Sequence, residues 1–466
     1  MPTKPMRAGV GKRKPPGWDS VPGPPRGCKF GGPAPAHDGW RAGENSRSVA
    51  GPMVRAAPAP VPARAGLARL LPGRVLWTAA CALVLAVRFH DLLARPRLWA
   101  EDGQVFFHDA ESRGVAALFT PYAGYLHALP RLVALAGAHV PAAWIPGLYV
   151  GLAFAVTLLV AACILSPRLD LPGKPLLALA VVAAPCTGEV FLTPTNLQWI
   201  TAFALLATCL KRDPAGAAQW AADLLVLVVA GLTGPFSVLL VPCFLLRLVL
   251  RRTAASGMLL VLIGAVAAVQ GYEIMMHPVH VPGLPGGPLQ AGGLLAVLSA
   301  RAPLALVGSS MWASYAGRPA VMALGACAFL GIAALAVTGC RRPAAVAQVA
   351  IFAALVVAAD IMKTRLDSWN YADSVIADRY LFIPRVLCLW LVVLGLGKGA
   401  RAAKIAAAAA ALSVAATDVL NPMSPRERPY FPWAPYCRQI TIGQEVDIVV
   451  SPGWTFTLPE RRAGGP

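Results

Sequence analysis

Charge is what this chain has least of. Only 14% of its 466 residues are Asp, Glu, Lys or Arg, against roughly 25% in soluble domains. Acidic residues are the scarcer sign, 22 against 41 basic, and a charged soluble surface is excluded. The ten cysteines contain no Cys-x-x-Cys pair. Cys81, Cys163, Cys186, Cys209, Cys243, Cys327 and Cys388 fall in or beside apolar blocks and only Cys437 falls clearly in an external segment, so a disulfide framework is not expected. Neither a Gly-rich phosphate loop nor a Gly-x-Ser-x-Gly elbow occurs, which removes support for ATP-driven transport and serine hydrolysis. His277-Pro-Val-His280 offers two histidines, but a proline-rich loop separates them from any helical ligand face and no third ligand is nearby. No metal site is expected there.

Apolar residues are abundant instead, at 57%. They come in blocks long enough to cross a hydrocarbon core of about 30 Å, and lipid leaves a bare backbone amide without a partner, so the blocks should be helices. The expected fold is an all-α polytopic membrane protein with about eleven transmembrane helices, at 74–90, 143–165, 175–191, 196–210, 219–232, 234–250, 257–275, 319–339, 344–362, 379–397 and 402–418. The two blocks around Gly231–Gly234 are short enough to form a single hairpin that dips into the bilayer. The formal net charge of +19 is concentrated at the N-terminus, where residues 1–70 hold 12 Lys/Arg and 3 Asp/Glu. Further basic residues (Arg168/Lys174, Lys211/Arg212, Arg247/Arg251/Arg252, Arg341/Arg342 and Lys398/Arg401/Lys404) fall in loops on the same side as that tail. This is the positive-inside pattern, and it takes priority over nucleic-acid binding. The expected location is a bacterial inner (plasma) membrane, multi-pass, with the N-terminus cytoplasmic and the C-terminus external.

Residues 1–70 contain 13 Pro and 11 Gly and no apolar period, so a disordered basic cytoplasmic tail is expected, with no cleavable signal peptide. Met53 stands at a conventional distance before the first helix and is a second candidate start. The membrane domain covers 71–418, with a large first external loop at 91–142. In that loop Gly103–Leu118 and Tyr122–His139 mix apolar and charged residues in the manner of interfacial helices. The external C-terminal tail, 419–466, alternates polar and apolar residues in Gln439-Ile-Thr-Ile-Gly443 and in Glu445-Val-Asp-Ile-Val-Val450, then turns at Ser451-Pro-Gly-Trp454, predicting some β-structure.

The chemistry-bearing residues gather on the external side. Leu98-Trp-Ala-Glu-Asp-Gly-Gln-Val-Phe-Phe-His-Asp109 follows the first span and carries adjacent carboxylates, Glu101 and Asp102. Such a pair can act as general base for a hydroxyl or hold a cation against phosphate; equally, Asp102 can cap the helix starting at Gly103. Tyr122, Tyr125, His127 and Arg131 follow in the same loop, suited to stacking on a sugar and pairing with phosphate, although tyrosine is also an ordinary interfacial anchor. Asn196, Gln198 and Trp199 sit at the external start of the fourth span, where a helix cap and an aromatic belt explain them as well as a site does. Glu189 lies just before them and needs a cavity or a partner. Lys363, Arg365, Arg379 and Tyr380 flank the third external loop, and these cations run against the positive-inside bias. Anion binding accounts for them, as does pairing with Asp367, Asp373 or Asp378.

With its acidic Glu101-Asp102 motif in the first external loop, interfacial helices in that loop and ten or more spans, the chain resembles the GT-C class of integral membrane glycosyltransferases. The stretches Asn196-Leu-Gln-Trp199 and Asp378-Arg-Tyr-Leu-Phe-Ile-Pro384 resemble segments of uncharacterised bacterial proteins grouped near that class, and the likeness covers roughly residues 74–460. The resemblance implies a polyprenyl-phosphate-linked sugar donor, a glycan or protein acceptor in the cell envelope, and Glu101 or Asp102 as the base. It implies Arg131, Lys363, Arg365 and Arg379 as candidates for the donor phosphate. Many members carry Asp-x-Asp or Asp-Asp where this chain has Glu-Asp, so a divalent cation (Mg or Mn) is admitted without being required. The alternative is a transporter or flippase of lipid-linked sugars, for which internal repeats and interrupted helices near the midplane are expected.

Overall fold

A computed structural model describes residues 63–186, 189–278, 288–308, 316–373, 377–397 and 428–460. Residues 1–62 of the tail expected at 1–70, and the span expected at 402–418, lie outside them; residues 63–70 of that tail are helical instead, the start of the first helix.

The chain opens with α1 (Ala63–Arg88), which contains the first expected span. Four helical stretches among the described residues are long and apolar enough to cross a membrane: Ala142–Ile164, Ala254–Met276, Arg318–Gly339 and Pro343–Thr364. These coincide with four expected spans. Five others, at 175–191, 196–210, 219–232, 234–250 and 379–397, hold shorter helices, namely Lys174–Ala183, Leu197–Leu210, Ala217–Leu225 with a π-helical continuation to Ala230, Phe236–Arg251 and Phe382–Gly395. At 10 to 16 residues these run only about 15–24 Å. Of these, the span expected at 175–191 runs furthest past its helix, into Val190 and Phe191, which are apolar and buried in a loop.

The loop expected at 91–142 is built from short pieces: α2 (His90–Ala94), a π-helical turn (Asp102–Phe107), α3 (His108–Arg113), a 3-10 turn (Gly114–Phe119) and α4 (Ala128–Gly137). Pro130 falls in the first turn of α4, where a backbone N–H has no intrahelical partner to lose, so the helix tolerates it. Then follow α5 (Ile145–Ile164), α6 (Lys174–Ala183), α7 (Leu197–Leu210), α8 (Ala217–Leu225), α9 (Phe236–Arg251) and α10 (Ala254–Met276). The second half contains α11 (Ala291–Arg301), α12 (Ala305–Gly308), α13 (Arg318–Gly339), α14 (Pro343–Thr364) and α15 (Phe382–Gly395).

Helix α7 is the axis of the main core. It is apolar or small on every side, and all of its residues are buried, as a helix with no polar face must be. Its C-terminal carbonyls are collected by Arg247 of α9, whose guanidinium donates to the oxygens of Thr208, Cys209 and Lys211 and pairs with Asp213. A cation on the last turn satisfies orphan carbonyls and complements the helix dipole. A turn at 231–235 joins α8 and its π-helical continuation to α9. The C-terminal end of α9 is tied to Lys211 by Arg247 and Arg251, and the turn meets the loop 91–142, Ala128 N donating to Leu232 O and Gly234 N to Leu126 O. Gln270 of α10 satisfies this irregular backbone, accepting from Leu126 N and donating to the oxygens of Leu126, Gly231 and Gly234.

The tail forms α16 (Ala434–Ile442) and a two-stranded antiparallel hairpin, β1 (Val446–Val450) with β2 (Trp454–Leu458). The second alternating stretch is therefore a strand. The first, Gln439–Gly443, is instead the end of a helix, closed by Gly443 at φ +68° with Gln444 N donating to Gln439 O at 2.9 Å. That left-handed stop needs glycine and ends a helix, which outweighs a short polar–apolar alternation. The hairpin lies against the π-helical turn, where Gly103 admits the Phe456 ring: a Cβ there would come within 2.8 Å of it. Trp433 fastens α16 by donating to Ala142 O at 2.7 Å.

Candidate functional site

The two adjacent carboxylates do different things. Asp102 is buried, and its Oδ1 accepts from Thr195 N at 2.8 Å and from Thr195 Oγ1 at 2.6 Å. It does not cap the turn it begins; it caps the 3-10 turn Pro194–Asn196 that leads into α7. Burial pushes its carboxyl up to about 7, with the Thr195 bonds pulling the other way. Glu101, 9% exposed, leaves Oε2 without a hydrogen-bond partner. Burial raises its pKa above the ordinary carboxylate value, the Arg379 charge lowers it and the Glu189 charge raises it.

Tyr122 and Arg379 lie near enough to Glu101 for their charges to couple with it, and Tyr125, His127, Gln198, Trp199, Lys363 and Tyr380 join that pair through a chain of ring and charge contacts. Burial and the Glu101 charge push the Tyr122 phenol up to about 12. The His127 ring lies 4.6 Å from Tyr125 and 5.6 Å from Tyr122, fully buried, and burial lowers its pKa to about 3, so it is neutral. Its Nε2 faces Tyr122 O at 3.2 Å, while Nδ1 has no partner. The first turn of α7 presents Gln198 and Trp199, and Trp199 sits edge-on to Tyr380 at 5.3 Å. Gln198 Oε1 and Trp199 Nε1 are buried without partners. Gly234, at φ +100°, lets the turn between α8 and α9 close over Gln198, since a Cβ would come within 2.8 Å of its side-chain carbon.

Of the four cations nominated for phosphate, three are committed. Arg131 is buried, pairs with Asp109 at 2.6 Å, donates to Thr120 O at 3.0 Å and covers the Phe106 ring at 5.0 Å, so it braces the loop. Arg365 pairs with Asp367, whose other bond comes from Gln290 N at the start of α11. Arg379 pairs with Glu189 while remaining near enough for its charge to act on Glu101. Lys363 differs: its Nζ stands 4.8 Å from the Tyr125 ring centre and forms no hydrogen bond or close salt bridge with a described residue, although the Asp360 carboxylate one turn earlier acts on its charge. Asp378 is taken by Arg385 and Arg301 and does not compete for it.

Asn196 caps nothing on α7; its Nδ2 donates to Glu189 O at 2.7 Å and shapes the loop before the helix. Arg428, absent from the residues nominated by sequence, donates to the carbonyls of Glu189 and Phe191 and covers Trp99 at 5.1 Å. No motif surrounds it.

Among the described residues no group of three or more His, Cys, Asp or Glu is arranged to hold a metal ion. The two carboxylates nearest the site, Glu101 and Glu189, face a shared guanidinium, and this donor set does not fit a divalent cation. His277 pairs with Glu273 at 2.9 Å, and His280 lies outside the described residues. Two cavities lie elsewhere, one of about 290 Å³ between Glu111, Ser112 and the tail hairpin, the other an apolar groove of about 520 Å³ along Val140–Leu152. No family model, curated protein or solved structure matches the chain.

Proposed function

We propose that this protein is a membrane glycosyltransferase that moves a sugar from a polyprenyl-phosphate-linked donor to a cell-envelope acceptor on the external face of a bacterial inner membrane. The observation that carries the reading is a buried carboxylate with one unpartnered oxygen, linked through a network of aromatic and charged contacts to a lysine that forms no salt bridge with a described residue. Glu101 has a buried carboxylate oxygen without a partner; Lys363 has an ammonium without an ion pair; Tyr122, Tyr125, Trp199 and Tyr380 supply aromatic surface around them. A free carboxylate suits a general base, and a free cation suits a phosphate leaving group.

In this reading Glu101 takes the proton of an acceptor hydroxyl, and the hydroxyl oxygen bonds to the anomeric carbon. The bond from that carbon to the phosphate oxygen breaks, and its electron pair leaves with the polyprenyl phosphate, steadied by Lys363. Gln198 and Trp199 offer a hydrogen-bond acceptor and a donor to the sugar. The topology belongs to the same proposal: about eleven crossings, an N-terminus inside and the tail outside. Reporters fused after 110 or 370 should read external, and those after 170 or 342 cytoplasmic.

One observation favours the transporter reading. Asp360 is buried within span-length α14 with Oδ2 unpartnered, and an intramembrane acid of that kind often marks a transport path. Purified protein offered radiolabelled polyprenyl-phosphate sugar and an envelope extract separates the two. Covalent transfer to a new acceptor supports the proposal; movement of intact donor across a vesicle membrane without transfer contradicts it.

A further inference from the structure

Glu189 is held in place from several directions. Its carbonyl accepts from Asn196 Nδ2 at 2.7 Å, from Arg428 at 3.1 Å and from Thr193 Oγ1 at 3.3 Å, which fixes the backbone between α6 and α7. Its carboxylate pairs with Arg379. An arginine fork ordinarily seeks two carboxylate oxygens, and the unpartnered Oε2 of Glu101 lies within reach of the same charge. Arg379 nevertheless pairs with Glu189. The other charged or titratable groups acting on this region are Asp102, Tyr122, Tyr125, Lys363, Tyr380 and Arg428.

We propose that Glu189 is a positioning residue: anchored through its own backbone, it holds Arg379 off Glu101 and so leaves the Glu101 carboxylate free to receive a proton. The inference rests on the reading of Glu101 as the base, but its mark on Glu101 is measurable without turnover. With Glu189 neutralised, Arg379 turns to Glu101 and makes that carboxylate more acidic, a weaker base already paired. With Arg379 removed, Glu101 faces Glu189 alone and becomes less acidic.

The test uses the purified full-length protein and a hydrophobic carbodiimide, which adds only to protonated carboxyls, with the Glu101 adduct counted by peptide mass spectrometry across pH. Glu189→Gln should move the labelling midpoint of Glu101 to lower pH by about one unit, so that labelling at a fixed pH above the midpoint falls about tenfold. Arg379→Gln should move it up, and the double variant should return near wild type. A variant that merely loosened the loop would lower thermal stability and leave the midpoint where it was. That result, in protein that purifies normally, overturns the inference. If Glu189→Gln fails to purify, Glu189→Asp, which keeps the charge and withdraws it by one methylene, must shift the midpoint the same way by less; no shift overturns the inference as well. Wild-type protein with no transfer activity would count against the proposed function and leave the labelling result standing.

Discussion

Replacing Asp102 separates the structural carboxylate from the chemical one. Both of its hydrogen bonds from Thr195 land on a single oxygen, Oδ1, at 2.8 and 2.6 Å. Asparagine keeps an oxygen in that place and removes a charge that burial disfavours. Asp102→Asn should therefore be at least as stable as wild type near neutral pH, where the buried charge that it removes is costly. Alanine leaves the Thr195 amide and hydroxyl buried without an acceptor, at about 1–3 kcal/mol each, and the loop leading into α7 loses its tie to the loop 91–142. Asp102→Ala should thus cost about 2–4 kcal/mol and damage activity through Gln198 and Trp199, which that tie helps to place. Glu101→Gln should do the reverse: unchanged unfolding and abolished transfer. Thermal unfolding in detergent, followed by tryptophan fluorescence, measures the first pair. An Asp102→Asn protein as unstable as Asp102→Ala would refute the reasoning, because it would mean that the charge, and not the oxygen, holds the loop.

Arg131→Met should destabilise the protein by about 3 kcal/mol, since Asp109 loses its buried partner; a transfer defect at unchanged stability would return Arg131 to the phosphate. Lys363→Gln should raise the KM for donor about tenfold or more, the worth of a charge-assisted contact, with little change in melting, and an unaffected KM would remove Lys363 from the site. Stability should respond to pH through two opposed groups. Asp102 binds its proton more tightly folded than unfolded, about 7 against 3.8, so its contribution is full below about pH 4 and lost as pH rises to about 7. His127 binds its proton less tightly folded, about 3 against 6.5, so its contribution is full above about pH 6.5 and lost as pH falls toward 3. Between pH 4 and 6.5 these slopes offset each other in the wild type; Asp102→Asn leaves only the His127 slope and should melt progressively lower on acidification, whereas parallel profiles would contradict the assignment.

Much of the site could be read from residue types at loop positions. Glu101, Tyr122, Tyr125 and His127 lie within one loop, and Gln198, Trp199, Lys363, Arg379 and Tyr380 sit at helix ends that hydropathy had already located. Their partners could not be read in the same way. Arg131 with Asp109, Arg379 with Glu189 and Arg428 with the Glu189 carbonyl are pairings that chain folding brings together across 22, 190 and 239 residues. No local pattern distinguishes a cation awaiting phosphate from one already paired. In the fold, four long helices follow directly from hydropathy, whereas buried loop backbone such as 231–235 has the same apolar composition as a helix. Such backbone is separable only by the groups that satisfy it, here Gln270 from α10. The tail was misread at Gln439–Gly443 because a two-residue period over five residues also fits the last turn of a helix, and Gly443 is the residue that decides between them.

That Glu101, one of whose carboxylate oxygens has no hydrogen-bond partner, removes a proton from a sugar acceptor is tested most directly by comparing wild type with Glu101→Gln. Both would be purified in the same detergent and offered radiolabelled polyprenyl-phosphate sugar with an envelope acceptor fraction. Wild type should transfer label, and Glu101→Gln should lose at least 10²-fold, the typical contribution of a general base, while still unfolding at the wild-type temperature. Equal transfer by the two proteins, or none by wild type with competent donor and acceptor, would contradict it.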